Sequence, residues 1–247
     1  AMKAYLNDKE MCYPALAAIQ ASGSKTAESA LAESLKNKDL QCAAAVMNVL
    51  AGMKSQLAVN EYIGFATSLN VNTRASALNA LAQSSSPLAL PVLLKSAKAV
   101  LYRWEVSGAT SALLDYAKNA GLNGDLKTMD KICKLVMAKC KDKLTVQYKT
   151  QALVTYVSFH GIDAINELKK AVENSDRTYR NAALRSSLAI KGKEIISEWI
   201  AYFPKAIPEA KAEIIKMLGE RGDESALTLI SSSLSNSDQI VRSEAAA

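Results

Sequence analysis

Apolar residues recur along this chain at the three- and four-residue spacing of helices with one buried face. Ile207, Ala210, Ile214, Ile215 and Leu218 form one such stripe, with Lys211, Glu213, Lys216 and Glu220 on the opposite side. Leu78, Leu81 and Ala82 form a second stripe, and Leu184, Ser187 and Leu188 a third. Another helical segment lies between successive stripes, at residues 164–172, 195–202 and 225–234. The pattern predicts pairs of helices of roughly 10–14 residues joined by short turns.

The pairs follow a fixed step. Arg74, Lys149, Arg180, Lys211 and Arg242 each open the same short motif, and the last four are 31 residues apart. A small or branched apolar residue follows three positions on (Ala77, Ala152, Ala183, Ile214, Ala245). In most units a larger one follows at four (Leu78, Leu153, Leu184, Ile215). Stepping back from Arg74 lands on Ala43 and then Cys12. A fixed period of this size marks stacked repeats, in which each unit buries its apolar face against its neighbours. Between Arg74 and Lys149 the step breaks; Ala109 opens one further unit there, flanked by two insertions. Gly121 to Asp125 reads as the loop of this irregular stretch.

Turn residues repeat with the helices. Asn174-Ser175-Asp176 precedes Arg180 by the same offset as Asn236-Ser237-Asp238 precedes Arg242, and Asn37-Lys38-Asp39 precedes Ala43 likewise. Asn and Asp accept hydrogen bonds from the open amides of a helix start, so they are expected to cap the second helix of each pair. Pro87 and Pro208 suit a first helical turn. Gly192 and Gly222 suit left-handed C-terminal caps.

Composition narrows the class further. In 247 residues there are only 10 glycines and 5 prolines, which favours helix over a many-turned β fold. No apolar run reaches the roughly 18–20 residues of a membrane span. None of the cysteines, Cys12, Cys42, Cys133 and Cys140, forms a Cys-x-x-Cys pair. They are expected to be buried core thiols, which leans towards a reducing compartment and leaves localisation open. Ala1-Met2 reads as a tag remnant, and the helix opened by Arg242 stops within two turns. The chain is therefore expected to be a single array over residues 1–247, irregular around 99–143, cut from a longer protein.

The segment Asn236-Ser237-Asp238-Gln239-Ile240-Val241-Arg242-Ser243-Glu244-Ala245-Ala246 resembles the core of a HEAT repeat, an Asp followed by Val-Arg and an Ala-rich helix. Residues 174–184 resemble it with Tyr179 in place of Val, and residues 70–81 with Asn70 in place of Asp. The likeness spans residues 4–247; units at 99–120 and 141–160 lack the Asp and the Val-Arg. It implies an all-α fold, a right-handed α-solenoid of about seven two-helix repeats whose second helices line the concave side. It also implies that the anchor Arg bonds to the Asp of a neighbouring turn.

Candidate chemistry is sparse. The single histidine, His160, has no nucleophile motif near it. There is no Gly-rich phosphate loop and no metal-ligand spacing. The chain is accordingly expected to be a non-catalytic scaffold without cofactor, binding a protein partner or another domain of its parent chain. Its second-helix faces offer Arg177, Thr178, Asn181, Arg185, Glu209 and Lys216, with Asn79 and Gln83 in an earlier unit. Net charge is +6, and Lys127, Lys131, Lys134 and Lys139 form a candidate basic patch. The alternative is a nucleic-acid binder resembling the HEAT-like alkylpurine DNA glycosylases. That resemblance casts Trp104 with Glu105, or Trp199 with Glu198, at a damaged nucleotide, and Arg103, Lys149, Arg180, Arg185 and Lys211 on phosphates.

Overall fold

Asp176 and Asp238 turn the backbone from a loop into a helix. Asp176 Oδ1 accepts the amides of Thr178 and Tyr179 at 2.8 and 3.3 Å, and Asp238 Oδ1 accepts that of Ile240 at 2.7 Å. Two residues earlier, Asn174 and Asn236 accept the amides of those same aspartates at 3.0 and 2.9 Å. Asn70 serves Asn72 and Thr73 in the same way. Each satisfies an amide that a helix start leaves open.

A computed structural model describes residues 2–8, 10–22 and 25–247, so Ala1 of the tag reading lies outside it. All regular structure among the described residues is helical. Two compact units divide it, residues 1–132 and 133–247. The first holds α1 (Cys12–Ser22), α2 (Lys25–Ser34), α3 (Ala43–Gly52), α4 (Val59–Phe65), α5 (Val71–Ser84), α6 (Ala89–Ala99) and α7 (Ala109–Leu122). Helix α8 (Leu126–Lys139) carries the chain into the second. There follow α9 (Val146–His160), α10 (Ile165–Val172), α11 (Arg177–Ala189), α12 (Glu194–Tyr202), α13 (Pro208–Arg221), α14 (Leu227–Ser233) and α15 (Gln239–Ala246).

Within each unit the odd-numbered helices pack in a row: α1, α3, α5 and α7 in the first, α9, α11, α13 and α15 in the second. Even-numbered helices pack on the outside of the row, as α4 does on α5, α6 on α7 and α10 on α11. This is the α-solenoid arrangement, in which no pair closes its own core. The core follows the apolar stripes: Ala210, Ile214, Ile215 and Leu218 of α13 are no more than 1% exposed, as are Ala77, Leu78 and Leu81 of α5.

Helices α9, α11, α13 and α15 begin at residues 146, 177, 208 and 239, the same 31-residue step. The anchors Arg74, Lys149, Arg180, Lys211 and Arg242 are the fourth residues of their helices. The arginines among them close the turn before the helix: Arg74 Nη1 donates to the carbonyl of Ser68, Arg180 Nη1 to those of Asn174 and Ser175, and Arg242 Nη1 to those of Asn236 and Ser237. The expected bond to the Asp of a neighbouring turn is replaced by Arg180 to Glu213, because the neighbouring turns carry Thr145 and Ile207 at the cap place. Lys149 lies 4.3 Å from the centre of the Tyr179 ring.

Several expectations need correction. Helix α7 starts at Ala109, so Ala112 holds the anchor place there. Most of the irregular stretch enters as helix: Gly121 and Leu122 belong to α7 and α8 runs for 14 residues, so the loop expected over Gly121–Asp125 is confined to Asn123, Gly124 and Asp125. A longer turn, residues 100–108 against 66–70 in the pair before, supplies the rest. Asp39 caps nothing at α3, whose N-cap residue is Cys42 and whose open amides receive no side-chain cap. Pro87 lies in the turn ahead of α6, and Ile190, not Gly192, ends α11. Pro208 does open α13, and Gly222 ends it with φ 68°.

The cysteines also differ from expectation. Cys133 and Cys140 are buried thiols outside any disulfide, but Cys12 and Cys42 form a disulfide between α1 and the start of α3. Burial pushes the Cys140 thiol up to about 11, so it stays protonated at neutral pH.

Candidate partner-binding face

Helix α11 is the centre of the candidate face. Its cap at Asp176 fixes the helix start, and Tyr179, Ala182, Ala183 and Leu184 bury one side. The helical period then turns Arg177, Thr178, Asn181 and Arg185 outward, and all four are exposed. Glu209 and Lys216 are exposed on α13.

Two clefts flank α11. One, of about 1180 Å³, lies between α9 and α11; Thr150, Val154, Thr178, Asn181 and Arg185 line it. His160 and Lys191 stand at its border, and its lining holds no carboxylate. The other, of about 980 Å³, lies among α11, α13 and α15, where Arg177, Asn181, Arg185, Glu209 and Lys216 take part. Five carboxylates line this second cleft: Glu209, Glu213, Glu220, Asp238 and Glu244. Glu213 is held by Arg180 at 2.9 Å and approached by Arg177 at 3.5 Å, and Glu244 lies 4.0 Å from Lys216. The face thus passes, across a single helix, from a cleft with no carboxylate to one where five carboxylates stand among four cations, Arg177, Arg180, Arg185 and Lys216. Asn181 and Arg185 line both.

The remaining candidates lie elsewhere. Asn79 is exposed on α5, whereas Gln83 accepts from Asn119 Nδ2 at 3.2 Å, a group that also donates to the Ala82 carbonyl. Gln83 therefore helps to join α5 to α7. Lys127, Lys131, Lys134 and Lys139 are exposed on α8 and line neither cleft. Lys134 Nζ sits 5.2 Å from the Tyr156 ring centre.

The nucleotide-handling roles do not assemble. Trp199 is 0% exposed and cannot stack on a base. Glu198 pairs with Lys169 at 2.6 Å. Trp104 is exposed, but Glu105 is bound to Arg74 and to the Ser107 amide and hydroxyl. Of the proposed phosphate contacts, Arg180 is 6% exposed, and Lys149 and Lys211 lie over the rings of Tyr179 and Phe203.

Sequence reasoning missed Thr150, Val154 and Lys191, which border the first cleft. For Thr150 and Val154 the signal was the outward phase of α9, legible once Lys149 is placed fourth in that helix; Lys191 lies just past the end of α11. No group of three or more His, Cys, Asp or Glu side chains that could hold a metal ion occurs among the described residues. No helix there is long and apolar enough to cross a membrane.

No protein-family model matches the chain, and no curated protein matches it. Among solved structures it is similar to that of human deoxyhypusine hydroxylase in complex with glycerol, at 12% identity. That alignment covers 99% of this chain and 92% of the other, with a TM-score of 0.41. The comparison corrects one expectation. The similar structure is an enzyme's, so the helical fold is no ground for setting catalysis aside, and the reading of the chain as no enzyme is withdrawn.

Proposed function

We propose that the chain is a HEAT-like array whose second-helix face in residues 133–247 binds an extended segment of a protein, either a separate partner or another domain of the parent chain. One observation carries the reading: Asn181 and Arg185 border both clefts, so a segment crossing α11 meets the two in succession. The charge distribution sets its polarity. Acidic side chains suit the cationic cleft between α9 and α11, and basic ones the carboxylates towards α15. The Asp caps and the anchor arginines support the HEAT-like assignment.

The test places a photoreactive residue at position 181 and identifies the polypeptide it captures in cells. That polypeptide is then titrated against the purified chain. Binding is expected to weaken with salt, to fall with Arg185→Glu and to be untouched by Lys131→Glu. Unchanged binding in both Arg185→Glu and Lys216→Glu would sink the face. Retarded mobility of DNA at low salt, with no polypeptide captured, would put nucleic acid in the partner's place.

A further inference from the structure

The long turn between α6 and α7 holds three large apolar side chains out of the fold. Leu101, Trp104 and Val106 are 65, 69 and 67% exposed within six residues. Their exposure is imposed by a built turn. Leu101 and Tyr102 both take left-handed backbone, φ 55° and 57°, which costs a non-glycine residue and persists only where surroundings hold it. Tyr102 is buried beneath the turn, and its amide donates to the Ala97 carbonyl at 2.9 Å. On the far side, Glu105 accepts from Ser107 and from Arg74.

Arg74 also joins this turn to the one before it. Its Nη1 donates to the Ser68 carbonyl at 2.6 Å while its Nη2 reaches Glu105 at 3.3 Å. Leu69, next to Ser68, is fully exposed. Four apolar side chains therefore stand on two linked turns at one edge of the first unit. Lys95, Lys98 and Arg103 are exposed around them, and Glu105, the acid within the turn, is already paired with Arg74.

We propose that this edge docks on a membrane surface carrying anionic lipid, with Trp104 and Leu101 inserted at the headgroup boundary. Side chains projecting from a turn need no matched set of pockets in a fluid interface, whereas a protein partner must supply one for each. Tryptophan favours that boundary, and nearby Lys and Arg are drawn to an anionic leaflet. Insertion depth and affinity follow from apolar area plus this attraction. The edge lies outside the face proposed for protein binding, so either reading can fail alone.

The chain has two tryptophans, and the other, Trp199, is fully buried. A change in emission on adding vesicles therefore reports Trp104. Phosphatidylcholine vesicles containing phosphatidylserine are expected to blue-shift the emission and to sediment with the full chain, less so at high salt. Leu101→Ser with Val106→Ser should weaken partition by roughly tenfold or more. Trp104→Phe should remove the shift yet retain sedimentation; both changes are at exposed sites and leave the melt in place. Absence of a shift, or equal sedimentation of wild type and the double variant, overturns the proposal. A blue shift that grows with protein concentration without lipid, alongside dimer formation, overturns it in favour of a second copy on this edge.

Discussion

Arg180 and Glu213 meet across two successive repeats through two hydrogen bonds, Nε to Oε2 at 2.9 Å and Nη2 to Oε1 at 3.0 Å. The same guanidinium closes its own turn on the carbonyls of Asn174 and Ser175. The two side chains are 7 and 13% exposed. Removing one partner leaves a poorly solvated charge, so Arg180→Ala is expected to cost about 3–5 kcal/mol. Arg180→Met combined with Glu213→Leu should recover most of that loss. Urea unfolding of the four species in a double-mutant cycle measures the coupling; a value near zero would show that the two residues act independently.

The Cys12–Cys42 bridge closes a loop of 30 residues in sequence separation. Constraining an unfolded chain over that length is worth about 3–4 kcal/mol by the loop-entropy relation. Dithiothreitol should lower the melting temperature of the wild type and leave Cys12→Ala/Cys42→Ala unmoved. Equal melting in both redox states would mean that the bridge does not constrain the fold.

Glu105 gives the first unit an acid-sensitive joint. Burial alone would raise its pKa, but hydrogen bonds from Ser107 and Arg74 outweigh that and hold it below the ordinary glutamate range. The folded value is depressed, so its contribution to stability is full above the unfolded value of about pH 4.3. It is lost as pH falls through the lower folded value. The Ser107 amide resonance should titrate with that low midpoint, and the titration should vanish in Glu105→Gln. A midpoint at or above the ordinary value would contradict the bonding described.

Aspartates in equivalent turns should differ in weight. Asp176→Ala and Asp238→Ala each remove an N-cap and should cost about 1 kcal/mol. Asp39→Ala removes no helix cap and should fall within about 0.5 kcal/mol of wild type. Thermal melts of the three variants decide the matter; equal losses would mean that capping is not what distinguishes these turns.

The anchors made most of the fold legible. A cation in the fourth place of a helix and an apolar stripe behind it repeat from Lys149 to Arg242, and the helices begin on that step; an Asp stands ahead of Arg180 and Arg242, whereas Thr145 and Ile207 hold that place before Lys149 and Lys211. Where Ala112 holds the anchor place, nothing polar marks the register, and Ala109 fits the same apolar spacing. Gly121 looked like a loop because glycine is a poor helix former, yet it is buried in α7, where packing outweighs propensity. The disulfide was within reach: Cys12 and Ala43 are one step apart, so Cys42 had to fall beside Cys12 in stacked repeats. On the face, the outward phase of α11 followed from its stripe. The clefts did not, because a cleft depends on the spacing between helices, which no single helix encodes. The projecting turn at residues 100–108 was hidden for a similar reason, since Leu101 and Trp104 have the composition of core residues and only the left-handed backbone at Leu101 and Tyr102 turns them outward.

The uniform pitch of α9, α11, α13 and α15 carries a consequence for how such a chain can change. Because anchor and stripe return after the same number of residues, excising residues 177–207 would join Asp176 to Pro208 and set the Asn174–Asp176 turn ahead of α13 in unbroken phase. Lys211 would then stand in the place of Arg180, and Glu213, which Arg180 grips, would lose that partner. Whole modules can thus be lost or gained here as a unit, whereas the stretch around α7 and α8, with its own lengths, is bound to its place.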